Sequence, residues 1–271
     1  MNYTVTEIEA PGYPEKAELT VYSLDNSEEM DPNRVRPTVL VVPGGGYEFT
    51  SDREAEPIAI QYLASGFNAA VIRYSVSPAR YPVALFQLAG AVKYLKDNAP
   101  QFHINPEKIV INGFSAGAHL CGCLGTMWNE KFLKDAFGVS GDELKPAGMI
   151  LGYPVITSGK FAHEGSFKAL LGDRYEADRE KLSLEYRVTK DTIPVFLWHT
   201  TEDGAVPVEN SILFYSALHA AGIPVEMHIY PHGGHGLALA NRETACHNND
   251  DNVVDAAADW IRLAERWVRD L

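Results

Sequence analysis

The chain is short of cations, short of cysteine and without a long apolar run, and each shortage removes a class of function. Against 36 Asp and Glu there are 23 Lys and Arg, a formal net charge of −13 at pH 7. Such a field repels phosphate backbones and anionic headgroups unless a local basic patch overcomes it. The densest cationic pair, Arg34 and Arg36, reads as a solvated turn in a Pro-flanked loop. Nucleic acid and membrane surfaces are therefore not expected partners, and neutral or weakly charged small molecules are. Nowhere do eighteen apolar residues run together, and MNYTVTEIEA at the amino terminus lacks a basic stretch followed by an apolar one. The expectation is a soluble, cytoplasmic protein, although a chain trimmed of a leader would read the same way. A homo-oligomer is compatible with this composition.

Cys121, Cys123 and Cys246 are odd in number and lack metal-type spacing, so reduced, buried thiols are expected, with no metal. Internal repeats, low-complexity segments and interdomain linkers are also missing. With 46% hydrophobic and 22% charged residues, one domain over residues 1–271 is the expectation.

What is present is an alternation of short β-branched runs with segments of helical period, the pattern of a mostly parallel sheet with helices on both faces. The segments around Val5 and from Leu19 to Tyr22 read as antiparallel lead-in strands. Buried strands follow at Thr38 to Val42, Ala69 to Tyr74, Ile109 to Ile111, Met149 to Tyr153, Val195 to Thr200 and Val225 to Tyr230. Helices are predicted from Glu54 to Ala64, from Tyr81 to Asn98 through Leu85, Leu88, Val92 and Leu95, and from Pro207 to Ala221 through Val208, Ile212, Tyr215 and Leu218. A terminal helix carries Val253, Ala257, Trp260, Ala264, Trp267 and Leu271. The charged stretch between Tyr153 and Val195 has little periodicity and is the candidate for a small cap.

A serine hydroxyl is a weak nucleophile at neutral pH, so a serine hydrolase must expose it, supply a base and stabilise the oxyanion. Gly113-Phe114-Ser115-Ala116-Gly117 matches G-x-S-x-G, a match that chance produces in about one chain of this length in ten. Context makes it specific: the motif follows a predicted buried strand and opens a predicted helix, as a strained nucleophile turn requires. Gly44-Gly45-Gly46 ends the first central strand, and the amides of Gly45, Gly46 and Ala116 are the candidate oxyanion donors.

Nine histidines compete for the role of base. His235 is favoured because Pro231-His232-Gly233-Gly234-His235-Gly236 is a glycine-rich loop directly after the last predicted strand, and His232 is its near rival. The orienting acid belongs between nucleophile and base, after the preceding strand, where Thr201-Glu202-Asp203-Gly204 stands. Asp203, set before a turn-permitting glycine, is favoured over Glu202. Tyr47, Trp128 and Tyr153 are candidates for walling an acyl pocket or stacking on a sugar, with core packing as the competing role.

Taken with VVPGGGY at Val41 to Tyr47, PEKIVINGFSAGAHL at Pro106 to Leu120, WHTTEDGAVPVENS at Trp198 to Ser211 and YPHGGHGLAL at Tyr230 to Leu239, the chain resembles the α/β-hydrolase-fold esterases. Within them it is most similar to the small single-domain bacterial acetyl esterases and acetyl xylan esterases. The resemblance implies the α/β-hydrolase fold with a small or no cap, the same Ser115, Asp203 and His235, and cofactor-free removal of acetyl groups from sugars or short xylan fragments. Pro43 and Phe114 occupy places where the hormone-sensitive-lipase group carries His and Asp, so that branch is not matched. Ser115 stands where dienelactone hydrolases use cysteine, and the length leaves no room for the extra domain of prolyl-oligopeptidase-like enzymes. A feruloyl esterase or aryl formamidase on the same site, and a non-catalytic hydrolase-fold binding protein, are the alternatives.

Overall fold

The structure is a computed structural model and describes residues 1–247 and 250–271. Its centre is one eight-stranded sheet in the order β1-β2-β4-β3-β5-β6-β7-β8. The strands are β1 (Asn2–Glu9), β2 (Lys16–Ser23), β3 (Arg36–Val42), β4 (Asn68–Arg73), β5 (Ile104–Phe114), β6 (Gly148–Gly152), β7 (Val195–Thr200) and β8 (Val225–Tyr230). β1 pairs antiparallel with β2, and β2 with β4; every later pairing is parallel. The helices are α1 (Glu56–Ala64), α2 (Val83–Asp97), α3 (Ala99–Phe102), α4 (Ser115–Met127), α5 (Lys131–Phe137), α6 (Glu164–Leu171), α7 (Tyr175–Asp178), α8 (Glu209–Ala220), α9 (Asp255–Ala258) and α10 (Trp260–Asp270).

The central strands are mostly apolar and buried along most of their length because both faces are covered, as parallel sheets demand. Alternation then sends successive residues to opposite layers. Leu40, Val42, Ile109, Ile111, Leu151 and Leu197 meet α2, α4 and α8 in one core. Val39, Val41, Val110, Ile150, Phe196 and Trp198 meet α1 and α10 in the other. There Trp198 stacks on Trp260 with ring centroids 5.0 Å apart and planes 12° from parallel. Leu85, Leu88, Val92 and Leu95 of α2 are all buried, as their spacing predicts.

Several expectations are corrected. On α8 the buried face is Phe214 and Leu218 with Asn210 and Ser211, while Ile212 is exposed. A buried Asn is stable there because its Oδ1 accepts the amides of Ile156 and Thr157 at 2.9 and 3.0 Å. β5 begins at Ile104, earlier than its apolar run, because Ile104 pairs across to Arg36. The terminal helix is two helices meeting at Asp259. Cys121 and Cys123 are free and buried in α4, but Cys246 is exposed. Among the described residues no helix is long and apolar enough to cross a membrane, and no group of three or more His, Cys, Asp or Glu is placed to hold a metal ion.

Register brings distant loops together. Val42 of β3 lies beside Gly113 of β5, Gly152 of β6 beside Trp198 of β7, and Thr200 of β7 beside Tyr230 of β8. The segments starting at Pro43, Ser115, Thr201 and Pro231 therefore leave the sheet from the same carboxyl edge, where open α/β sheets bind their ligands.

Candidate active site

Ser115 sits between the end of β5 and the start of α4 with φ of 51°, a left-handed conformation costly for a residue with a Cβ. The turn closes only because its flanks are glycine. A Cβ on Gly113 would lie 2.4 Å from the Gly117 carbonyl oxygen, and one on Gly117 would lie 2.2 Å from that of Val42. The result presents the Ser115 hydroxyl at the edge of the sheet.

The Nε2 atom of His235 lies 2.8 Å from Ser115 Oγ, and its Nδ1 lies 2.7 Å from Asp203 Oδ2. A carboxylate only accepts, so the imidazole proton is on Nδ1 and the Nε2 lone pair faces the serine. The side chain of Asp203 is fully buried, while that of His235 is about a quarter exposed. Asp203 Oδ1 accepts the amides of Ala205 and Val206 at 3.0 and 2.9 Å, and Oδ2 also faces His199 Nε2 at 3.3 Å. Burial pushes the Asp203 pKa up, but hydrogen bonds from His199 and His235, the His235 charge and the Val206 amide outweigh it. The carboxyl is held well below the usual carboxylate range.

His199 Nε2 also donates to the Val206 carbonyl at 3.0 Å, which leaves its Nδ1 to accept from the Ser211 hydroxyl at 2.8 Å. The rival pair lies outside this arrangement. His232 Nδ1 is 3.0 Å from Glu202 Oε1, and both side chains are more than half exposed. Glu202 Oε2 accepts the Gly233 amide at 3.2 Å, so this pair ties the two loops together at the rim.

Gly45 and Gly46 line the cleft with Ser115 and His235. Gly45 has φ of 128°, and a Cβ there would lie 2.1 Å from the Phe49 carbonyl oxygen. Ala116 is in the first turn of α4, where amides have no intrahelical acceptor.

The hub that sequence reasoning missed is Glu54. Its side chain is buried, Oε2 accepts the Gly44 amide at 2.8 Å, and Oε1 accepts the Tyr153 hydroxyl at 2.7 Å. The Tyr153 hydroxyl in turn accepts the Ala238 amide at 2.9 Å, and its ring meets His235 edge-on at 5.1 Å. One carboxylate thus joins the glycine loop to the histidine loop, and Trp260 adds a tether by donating to the Ala238 carbonyl at 2.9 Å. The sequence marks Glu54 only as a helix start.

The three aromatic candidates do not line the cleft. Tyr153 lies behind His235, and Tyr47 is buried with its hydroxyl 2.8 Å from His119 Nδ1. Burial, partly offset by the Leu182 carbonyl, pushes the His119 pKa down to about 4, so Tyr47 donates to a neutral ring. Trp128 caps the far end of α4 and donates to the Asp191 carbonyl at 2.7 Å. At 1.5 Å per residue it is about 20 Å along the helix from Ser115. The cleft holds about 340 Å³ and is walled instead by groups not anticipated, including Glu48, Phe49, Arg53 and His163. A second cleft of about 300 Å³, between Tyr81, Met127, Phe132 and Leu182, contains none of these groups.

The BD-FAE family model matches residues 24–218, well over half of the chain. The chain belongs to the BD-FAE family. It is 39% identical over 217 residues to endo-1,4-beta-xylanase B of Butyrivibrio fibrisolvens, covering 77% of this chain and 33% of that protein. It is 31% identical over 232 residues to the acetylxylan esterase of Xylanibacter ruminicola, covering 83% of this chain and 45% of that one. The chain therefore spans less than half the length of these relatives. A solved structure matches end to end: the acetyl ester-xyloside bifunctional hydrolase from Caldicellulosiruptor lactoaceticus, with TM-score 0.81, 34% identity, and 98% of this chain and 96% of that chain covered. This member of the BD-FAE family carries an esterase-type domain of the α/β-hydrolase fold.

Proposed function

We propose that the protein is a serine carboxylesterase that removes short acyl groups, acetyl first among them, from sugars or xylan oligosaccharides. The observation that carries the chemistry is the unbroken chain of contacts from Asp203 through His235 to Ser115, at 2.7 and 2.8 Å. His235 takes the Ser115 proton as Oγ attacks the ester carbonyl, and the amides of Gly45, Gly46 and Ala116 receive the oxyanion. The tetrahedral intermediate collapses, His235 returns the proton to the leaving alcohol, and the acyl group stays on Ser115. Water activated by the same imidazole then releases the acid. Asp203, held ionised by its hydrogen bonds, keeps the productive tautomer and stabilises the imidazolium.

The substrate reading is supported by the names of two relatives, an acetylxylan esterase and an acetyl ester-xyloside hydrolase. A panel of 4-nitrophenyl acetate, longer acyl esters, methyl ferulate and acetylated xylo-oligosaccharides tests it. Acetyl esters are expected to lead; a preference for acyls beyond about four carbons, or for ferulate, overturns the acetyl reading.

A further inference from the structure

The leaving alcohol must sit at His235 Nε2, because that nitrogen returns its proton. Two donors neighbour this side of the cleft. Arg53 Nη1 lies 3.8 Å from where a Cβ on Gly236 would be, one residue past the base. Its Nε donates to the Thr244 carbonyl, its Nη2 is buried without a hydrogen-bond partner, and no ion pair holds its charge among the described residues.

His163 is the second donor. Its Nδ1 caps α6 by accepting the Ser166 amide at 3.3 Å and lies 2.8 Å from Ser166 Oγ. Since Nδ1 accepts, the proton of the neutral ring is on Nε2, which has no partner among the described residues. Burial, then the neighbouring His235 charge, lower the His163 pKa against the opposing pull of Asp203 and Glu48, which keeps the ring neutral.

We propose that Arg53 and His163 bind the alcohol half of the ester by donating to its oxygens, selecting a neutral polyol over an apolar alcohol. Glu48, exposed on the same cleft, supplies an acceptor for hydroxyl hydrogens and offsets the Arg53 charge, so the wall suits an uncharged sugar better than a carboxylate. This inference rests on the esterase reading above.

His163→Asn is the informative variant. Asn is a strong N-cap whose side-chain oxygen replaces Nδ1 at the Ser166 amide, while the distal N–H disappears. Arg53→Met keeps the aliphatic stem and removes the guanidinium. Each variant is compared with wild type on 4-nitrophenyl acetate and on an acetylated xylobiose, with a thermal melt as a folding control. The expected result is a ten- to hundredfold loss of kcat/KM on the sugar ester, expressed mainly in KM, and a several-fold smaller loss on the nitrophenyl ester, whose leaving group offers these donors no hydroxyls. Equal losses on both substrates, or none on the sugar ester, overturn the assignment. Wild-type protein that cleaves nitrophenyl acetate but not the sugar ester overturns it while leaving the serine chemistry standing; inertness toward both overturns both.

Discussion

Replacing Asp203 with Asn tests the site at its most informative point. Asp203 accepts from four N–H groups: Ala205 and Val206 on Oδ1, His235 and His199 on Oδ2. An Asn side chain is held by the two amides with its oxygen in the Oδ1 place, so its NH2 replaces the acceptor facing His235. The imidazole answers by moving its proton to Nε2, and Ser115 then faces a donor instead of a base. Loss of the correct tautomer costs about 10⁴-fold in kcat in serine proteases of this chemistry. A similar loss, about 5 kcal/mol of transition-state stabilisation, is expected here.

A second donor facing His199 should also lower stability by about 1–3 kcal/mol. The pH dependence has a definite sign. The folded-state pKa of Asp203 is depressed, so its carboxylate contributes stability in full above the ordinary carboxylate pKa and loses it as pH falls toward the folded value. Asp203→Asn should therefore flatten the acid limb of the stability curve. The assays are kcat and KM on 4-nitrophenyl acetate, fluorophosphonate labelling of Ser115, and thermal melts across acid pH. Activity within tenfold of wild type in a folded variant would falsify the tautomer argument, and an unchanged acid limb would refute the linkage.

Four further outcomes follow from the same geometry. Ser115→Ala should fold, lose turnover almost completely and fail to label with fluorophosphonate; persistent turnover would remove Ser115 from the chemistry. Glu54→Gln can accept from only one of Gly44 and Tyr153, so Tm should fall by several degrees with kcat reduced more than KM is raised, and an unchanged melt would dismiss the hub. In Gly117→Ala the new Cβ would meet the Val42 carbonyl oxygen, so loss of soluble, active protein is expected; wild-type Tm and activity would contradict the close approach. Trp128→Phe loses its bond to Asp191 and some stability, but kinetics on every ester should stay within twofold, and a substrate-selective change would return Trp128 to the site.

The buried strands and the sharp strand-to-helix turn at Ser115 were legible in the sequence because each is local. A β-branched run ending in small residues forces a strand to stop and turn, and a glycine pair marks where backbone must approach backbone. α2 was equally legible, since its four apolar positions repeat at helical spacing and all are buried. α8 was not, because Asn210 is buried through hydrogen bonds to a distant loop and Ile212 is exposed.

Tertiary structure alone decided what surrounds the reacting atoms. Glu54 acquires its role by meeting Gly44 and Tyr153, 10 and 99 positions away, and no period or motif encodes such a meeting. His163 enters the cleft from a segment without periodicity, and Arg53 from a short turn, while the conspicuous aromatics Tyr47 and Trp128 are placed in packing. His235 and His232 stand three residues apart in one loop; the sequence favoured His235, and the fold of that loop sets His235 against Ser115 and His232 against Glu202. By itself the sequence determined which groups the chain offers for catalysis, because side-chain chemistry and local backbone sterics are written residue by residue. The structure decided which of them share one cleft, because that depends on strand order and register summed over the whole sheet.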